Sequence, residues 1–360
     1  MRERLAQIPK PMRENLITFG IVVVAFIVMQ ILISLNMLSH LMTGLLVPLC
    51  VYVIMAVSLN LTVGILGELS LGHAGFMCLG AFAGAFFTKV MENVITFSLF
   101  RFILAILIGA LVAGVFGLLI GLPVLRFRGD YLAIVTLAFG EIIKNIINAL
   151  FVGLDDKGFH FSLRDSLSLG MGEEGRVIIN GAQGIVGMPR DSTFLIGTIL
   201  VIITLFIVLN LINSRDGRAI MSIRDNLIAS ESVGIDVTRY KLMAFTISAA
   251  LAGVAGVLYS HNLNSVQATP RNFGFNMSIM ILVFVVLGGI GNIRGSIIAA
   301  VVLTVLPEVL RGISDQRMLI YSVILIVMMI FNWSPKVLEW REKHSLKEWL
   351  SRLRKRKAKV

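Results

Sequence analysis

Long apolar segments make up most of this chain, and short polar segments separate them. A helix needs roughly 17–25 mainly apolar residues to cross a lipid bilayer. The candidate spans, ten in number, are residues 16–35, 41–66, 71–89, 100–122, 131–152, 194–213, 242–260, 276–288, 296–310 and 318–333. The glycine-rich segment GGIGN at 288–292 interrupts the apolar stretch between the eighth and ninth candidates. The pattern predicts an all-α, polytopic membrane protein with about ten transmembrane helices.

The composition favours a chain that is embedded in lipid. Of the 360 residues, 57% are hydrophobic and 15% charged, and the mean hydropathy is +0.89, whereas a soluble domain carries about 25% charged residues. A disordered chain, a coiled coil and a collagen-like fibre are excluded, because the apolar content is too high and lacks the required period. Cys50 and Cys78 lie in apolar segments without metal-ligand spacing and are interpreted as small core residues.

Basic residues are distributed unevenly between the two sides that ten spans define. Most Lys and Arg residues fall on the side that holds both termini, and positively charged segments favour the cytoplasm. We therefore predict a cytoplasmic basic N-terminus at 1–15, a transmembrane domain at 16–333 and a cytoplasmic basic tail at 334–360. In this orientation residues 153–193 form an external loop and residues 214–241 a cytoplasmic loop.

The 214–241 loop has a helical pattern of its own. Ile220, Ile223 and Leu227 fall on one face of a helix, and Gly234 stands where a helix would end. The opposite face carries charges of both signs, from Arg224, Asp225 and Glu231. An amphipathic helix that lies on lipid and a docking helix for a cytoplasmic partner both fit, and the mixed charge favours docking.

No motif for catalysis occurs in the sequence. The chain lacks the phosphate loop G-x-x-x-x-G-K-S/T, the zinc motif H-E-x-x-H, the pair C-x-x-C and the nucleophile elbow G-x-S-x-G. We therefore do not expect it to be an enzyme, to bind a cofactor or to hold a metal. Its net charge of +11 resides at the two ends and in short loops, a distribution that favours the cytoplasmic membrane surface over nucleic acid.

A polar, glycine-rich segment, GELSLGHAG at 67–75, lies between two apolar segments. At membrane depth such a segment is tolerated only where protein buries it or where it lines a watery cavity. An ordinary loop with small residues for tight helix packing fits the pattern equally well. A segment of a translocation path and a plain loop are therefore both open interpretations.

Two charged residues, Glu141 and Lys144, lie three positions apart in the fifth candidate span. They can pair on one face of a helix, and pairing lowers the cost of placing charge in the bilayer. A structural ion pair is at least as compatible with this spacing as a contact to a transported molecule.

Five motifs occur in order along residues 40–332. They are GELSLGHAGF at 67–76, RGDYLAIVTL at 128–137, GIVGMP at 184–189, the segment 217–260 and LGGIG at 287–291. Together they resemble the permease subunits of branched-chain amino acid ABC importers, and within that family the LivM-type subunit.

This resemblance implies an ABC importer permease fold in a bacterial plasma membrane. The permease would form the translocation path with a second homologous permease, above two cytoplasmic ABC ATPase subunits that use ATP, and an extracytoplasmic binding protein would deliver leucine, isoleucine or valine. Urea, other small amides and other amino acids are alternative substrates, because their importers share these motifs. A stand-alone channel or membrane scaffold is the more remote alternative.

The resemblance also indicates candidate site residues. Those for the translocation path are Glu68, Ser70, Gly72, His73, Gly75, Tyr131 and Thr136. Those for an ATPase-coupling helix within residues 218–234 are Arg218, Arg224, Asp225, Leu227, Ala229, Glu231 and Gly234. The general importer pattern Glu-Ala-Ala…Gly is only partly kept here, since ASESVG at 229–234 has its Glu and Gly but not the Ala pair.

Overall fold

The computed structural model describes residues 10–310 and 317–333, except residues 36, 38, 128, 157 and 172–174. The predicted tail at 334–360, residues 1–9 of the predicted N-terminal segment and Arg128 of the second motif lie outside the described residues. The chain divides into two compact units, Met1–Val302 and Leu303–Val360. In the second unit, the described residues are the end of one helix and a separate helix at Arg317–Trp333.

Helices account for most of the described chain. In chain order they are α1 (Lys10–Ser34), α2 (His40–Asn60), which a π-helix (Leu61–Leu66) continues, α3 (His73–Val90), α4 (Ser98–Val124), α5 (Asp130–Ala149), α6 (Phe194–Asn213), α7 (Arg215–Asp225), α8 (Leu227–Ser232), α9 (Val237–Ser260), α10 (Pro270–Phe273), α11 (Phe275–Gly288), α12 (Ile293–Val309) and α13 (Arg317–Trp333). All except α7, α8 and the short α10 coincide with predicted spans. Among the described residues, seven helices are long and apolar enough to cross a membrane: α2 to α6, α9, and α11 extended by α10. The predicted helical membrane fold is confirmed, and the count of ten spans is approximate.

Side-chain caps fix the beginnings of several helices. Ser39 accepts a hydrogen bond from the Met42 amide at the start of α2, and Thr193 caps α6 in the same way. Asp236 caps α9 by accepting from the Arg239 amide at 3.1 Å. These short polar side chains satisfy amide groups that have no partner inside the helix, so each helix begins where its apolar segment follows a capping residue.

Helices α2, α3, α4 and α9 pack together in the first unit. Small residues let their backbones approach: a Cβ at Gly80 would lie 2.3 Å from the Cα atom of Gly253, and one at Gly256 would lie 2.0 Å from the carbonyl oxygen of Met77. Glycine at such crossings replaces side-chain packing by direct backbone contact, as in other membrane helices. The polar segment that joins the π-helix to α3 is adjacent to this bundle.

The predicted external loop contains two small sheets. Strand β1 (Phe151–Asp155) pairs antiparallel with β2 (Gly158–Ser162) and with β3 (Arg176–Asn180), in the order β2-β1-β3. Strand β4 (Ile185–Val186) pairs with β5 (Ser265–Val266), which follows α9. These strands are not predicted from the sequence, because each has only two to five residues, which is too short for an apolar–polar alternation to be recognised.

Candidate translocation and coupling site

The segment between the π-helix and α3 makes a sharp backbone turn. Gly67, the first residue after the π-helix, has φ +82°, a left-handed conformation that glycine adopts without steric cost. A Cβ at this position would also lie 2.5 Å from Cγ of Arg224. From Ser70 to Gly75 the chain is buried except at Leu71, so protein encloses most of the polar segment.

Glu68 forms an ion pair with Lys241 of α9. Both side chains are largely buried, and that of Lys241 is 7% exposed. Each charge lowers the cost of burying the other. This ion pair is not predictable from the sequence, because the two residues lie 173 positions apart and no local spacing connects them.

Three path candidates form a tight contact between α3 and α5. A Cβ at Gly72 would lie 2.1 Å from the carbonyl oxygen of Thr136, and one at Gly75 would lie 2.7 Å from the Cα atom of Gly140. The Leu71 amide donates a hydrogen bond to the Thr136 hydroxyl at 3.0 Å. The structure therefore brings Gly72, Gly75 and Thr136 together as packing residues of one helix crossing.

Two further path candidates are buried polar residues beside this crossing. Nε2 of His73 lies 2.8 Å from Oγ of Ser58, and the same Oγ donates to the carbonyl oxygen of Met55 at 3.0 Å. Oγ of Ser70 is buried without a hydrogen-bond partner, which is an uncommon state for a buried hydroxyl. Tyr131, by contrast, is 72% exposed at the start of α5 and is not part of this buried group.

Glu141 and Lys144 form an ion pair on α5, and the ammonium group of Lys144 is buried. The Glu141 carboxylate also accepts a hydrogen bond from the Phe275 amide at 2.8 Å. Phe275 is the first residue of α11, where a negative charge stabilises the unpaired amide groups. The carboxylate therefore joins α5 to α11, a contact that the spacing of the pair did not indicate.

The predicted coupling helix at 218–234 is two helices, α7 and α8. Asn226 breaks it with φ −156° and ψ 104°, and its side-chain oxygen accepts from the Ala229 amide at 3.0 Å. An asparagine in this capping role ends one helix and begins the next. Gly234 has φ +86° and ends α8. Its amide donates to the carbonyl oxygen of Glu231, and the Ile235 amide donates to the carbonyl oxygen of Ser230. These two hydrogen bonds form a Schellman motif. Residues 215–234, the two helices with their C-terminal cap, are called the α7–α8 segment below.

The apolar face of this segment differs from the predicted one. Ile220 and Ile223 are 0% and 3% exposed, and Ile220 packs against the π-helix and α9 in a cluster of Leu61, Ile65, Leu66, Ile220 and Ala244. Ile220 and Ile223 are therefore buried within this chain and do not form the predicted docking stripe, whereas Leu227 is partly exposed. The apolar side chains that face outward are Ile228 and Val233, at 77% and 78% exposed.

The charged side chains of the α7–α8 segment differ from one another in their hydrogen-bond partners. Arg224 donates to the carbonyl oxygen of Gly64 in the π-helix, while its side chain remains 37% exposed. Arg218 donates to the carbonyl oxygen of Asn213 at the end of α6. Ala229 and Glu231 are exposed together with Ile228 and Val233. Arg218, Arg224 and Asp225 of α7 are exposed as well, so both helices contribute polar residues to the outward surface, and its large apolar residues lie at α8 and its cap.

Within the described part of the chain, no group of three or more His, Cys, Asp and Glu side chains is placed to hold a metal ion. The polar residues of the site form ion pairs, cap helices or lie at helix crossings. These contacts hold the helices of the chain together.

An apolar helical bundle with a buried polar segment and a short surface helix pair is the architecture of a multi-pass membrane protein. The family described as branched-chain amino acid transport system / permease component matches residues 41–332, and this chain belongs to it. The resemblance found from the five motifs is thereby confirmed.

Curated relatives agree with this family. The chain is 36% identical over 297 residues to the high-affinity branched-chain amino acid transport system permease protein LivM of Salmonella typhimurium and to that of Escherichia coli, which covers 79% of this chain and 67% of each relative. It is 26% identical over 211 residues to the fructose import permease protein FruG of Bifidobacterium longum, which covers 56% of this chain and 58% of that relative. No solved structure matches the chain.

Proposed function

We propose that this chain is the membrane-spanning permease subunit of an ATP-driven importer for branched-chain amino acids. The observation that carries this proposal is the 36% identity to two LivM permeases over 79% of the chain. The more distant likeness to a fructose permease indicates that this architecture serves other substrates as well. Leucine, isoleucine and valine are therefore favoured by the nearer relatives, and urea and other small amides are the alternatives.

The partners that this function requires are separate proteins. A second homologous permease would complete the translocation path, and two cytoplasmic ABC ATPase subunits would use the ATP. An extracytoplasmic binding protein would deliver the amino acid. The proposed location is the bacterial plasma membrane, with both termini cytoplasmic.

The α7–α8 segment is the proposed contact with the ATPase. Its exposed apolar residues Ile228 and Val233 flank Glu231, and apolar anchors beside a charge are suited to a protein cleft. Its inner face packs on the π-helix and on α9. A force that an ATPase applies to α8 would therefore act on helices that enclose the polar segment.

The proposed path passes the crossing of α3 and α5. At this crossing Gly72 is in contact with Thr136, so transport would require the two helices to separate there. Ser70, whose buried hydroxyl has no partner, is then available to a passing ammonium or carboxylate group. Alternating access would consist of opening and closing this crossing.

A competition assay tests the proposed substrate. We would reconstitute the complex in proteoliposomes and measure uptake of labelled leucine in the presence of unlabelled isoleucine, valine or urea. Isoleucine and valine are expected to reduce uptake at concentrations close to those of leucine itself, and urea is expected to have no effect. Saturable uptake of labelled urea, with leucine as a non-competitor, would contradict the proposed substrate.

A further inference from the structure

Arg224 is a partly exposed residue of the α7–α8 segment, with 37% of its side chain accessible, that contacts the edge of the helical bundle. Its Nη1 donates to the carbonyl oxygen of Gly64 at 2.9 Å. Its Nε and Nη2 donate to Oδ1 of Asp225 at 3.1 and 2.9 Å. These two contacts to one carboxylate oxygen favour an orientation in which Nη1 points to the Gly64 carbonyl.

The carbonyl group that Arg224 contacts lies at the end of a helix. Gly64 belongs to the last turn of the π-helix (Leu61–Leu66), where backbone carbonyl groups lack partners further along the helix. A cation in this place compensates the negative end of the helix. The stem of the arginine also lies on Gly67, where a Cβ would be 2.5 Å from its Cγ. Arg224 thus contacts both the end of the π-helix and the first residue of the polar segment.

Gly64 is also the crossing point with the turn that precedes α12. A Cβ at Gly64 would lie 2.3 Å from the amide nitrogen of Gly291. That amide donates to Oδ1 of Asn60 at 2.9 Å, and Nδ2 of Asn60 donates to Oγ of Ser296 at 2.9 Å. The backbone contact and the two hydrogen bonds make this junction stiff. A displacement of the Gly64 carbonyl would therefore move the end of α2 and the start of α12 together.

A cavity of about 340 Å³ lies beside this junction, and Arg224 lines it together with residues from the ends of α1, α6 and α7. Asn15, Asn213, Met221 and Asn292 are among the other lining residues. A densely packed contact passes the movement of one element to its neighbour, whereas an element beside a cavity can move without displacing other atoms. The α7–α8 segment is packed on the core through Ile220, and it has room to move on the side of the cavity.

We propose that Arg224 is the positioning residue that passes a displacement of the α7–α8 segment to the π-helix and the polar segment. The inference rests on the proposed function, in which an ATPase moves α8. Arg224 touches neither the substrate nor the ATPase in this scheme, and it acts through the Gly64 carbonyl. Without Arg224, the ATPase would still bind the permease and hydrolyse ATP, but the polar segment would not move with the α7–α8 segment.

The test compares Arg224→Gln and Arg224→Lys in the complete reconstituted complex. We would measure the amount of ATPase that co-purifies with the permease, ATP hydrolysis stimulated by substrate-loaded binding protein, and leucine uptake per ATP hydrolysed. For Arg224→Gln we expect co-purification and hydrolysis within about twofold of wild type and a loss of about tenfold or more in uptake per ATP. For Arg224→Lys we expect an uptake per ATP between those of wild type and Arg224→Gln, because an ammonium group can reach one acceptor but cannot form the two bonds to Asp225.

Arg239→Gln is the matched control, since Arg239 is an exposed arginine on the first turn of α9; it should leave all three quantities unchanged. Wild-type uptake per ATP in Arg224→Gln would overturn the proposal. A parallel loss of assembly and uptake in both Arg224 variants, with the ratio preserved in the complexes that remain, would also overturn it and leave Arg224 as a stabilising helix cap. If the wild-type complex itself showed no ATP-dependent leucine uptake, the proposed function would fail first, and this inference with it.

Discussion

At the scale of single residues, the buried glycines of the polar segment set how closely two spans approach. A Cβ at Gly72 would lie 2.1 Å from the Thr136 carbonyl oxygen, which belongs to the backbone of α5 and cannot rotate away. The sequence indicated that Gly72 allows a close approach, because only small residues suit such a segment. It could not indicate Thr136 as the neighbour, since that contact depends on how α3 and α5 pack.

The first prediction concerns Gly72. Gly72→Ala should lower the free energy of unfolding by about 1–3 kcal/mol, because the added methyl group overpacks the crossing, and Gly72→Leu should abolish uptake in protein that still inserts and assembles. Gly44→Ala is the control, since a Cβ there meets no atom within 4 Å. Thermal unfolding in detergent and leucine uptake measure the two effects. Equal stability and uptake in the Gly72 and Gly44 variants would show that the crossing can open without cost.

The second prediction concerns the pair Glu141 and Lys144. Glu141→Gln should lower stability by about 1–3 kcal/mol, because it leaves a buried ammonium group without its counter-charge. The amide oxygen of Gln can still accept from the Phe275 amide, so the variant isolates the charge. The amount of assembled complex and the substrate affinity per complex would be measured separately, and affinity should stay close to wild type.

The double variant Glu141→Gln with Lys144→Met is the matched control for this pair. Removing both charges should recover part of the lost assembly, since a neutral pair carries no unpaired buried charge. Normal assembly of Glu141→Gln with a selective loss of substrate affinity would instead assign Glu141 to the translocation path.

At the scale of the elements, the α7–α8 segment shows what a helical period can and cannot indicate. The period correctly placed Ile220 and Ile223 on one face, and Gly234 correctly marked the helix end. The period could not say what that face packs against. Because the chain's own π-helix and α9 cover Ile220, the large apolar side chains left for a partner are Ile228 and Val233, which the helical period does not select.

The third prediction follows from this exposed surface. Ile228→Asp combined with Val233→Asp should prevent co-purification of the ATPase with a permease that still folds, because both side chains are exposed in the isolated chain. Glu231→Arg should reduce the stimulation of ATP hydrolysis by substrate-loaded binding protein. Ile223→Asp is the contrasting variant: it places a charge at a 3% exposed position and should reduce the amount of folded permease. Wild-type ATPase binding by the Ile228 and Val233 double variant would remove α8 from the proposed contact.

At the scale of the whole molecule, α9 separates the two largest connecting segments. It has 24 residues and is therefore about 36 Å long at 1.5 Å per residue. The α7–α8 segment precedes it, and β5, which follows it, pairs with β4 of the 153–193 segment. The two segments thus lie at opposite ends of α9. The short strands of the 153–193 segment were beyond sequence reasoning, because their pairing joins residues that are far apart in the chain.

The fourth prediction is the orientation of these two segments. A thiol reagent that does not cross membranes should label Ser166→Cys in intact cells, since Ser166 is exposed in the 153–193 segment and the native Cys50 and Cys78 are buried. Ser232→Cys at the end of α8 should be labelled only after lysis. The reverse pattern would invert the orientation that the charge distribution predicts.

The most direct test of the central claim is whether leucine accumulates against its gradient. Proteoliposomes that contain this chain, the second permease and the ATPase subunits would be given labelled leucine and the binding protein on one side and ATP on the other. We expect the internal leucine concentration to rise above the external one, and we expect this accumulation to require hydrolysable ATP. Uptake that stops when the two concentrations are equal, with or without ATP, is the behaviour of a channel and would contradict the central claim.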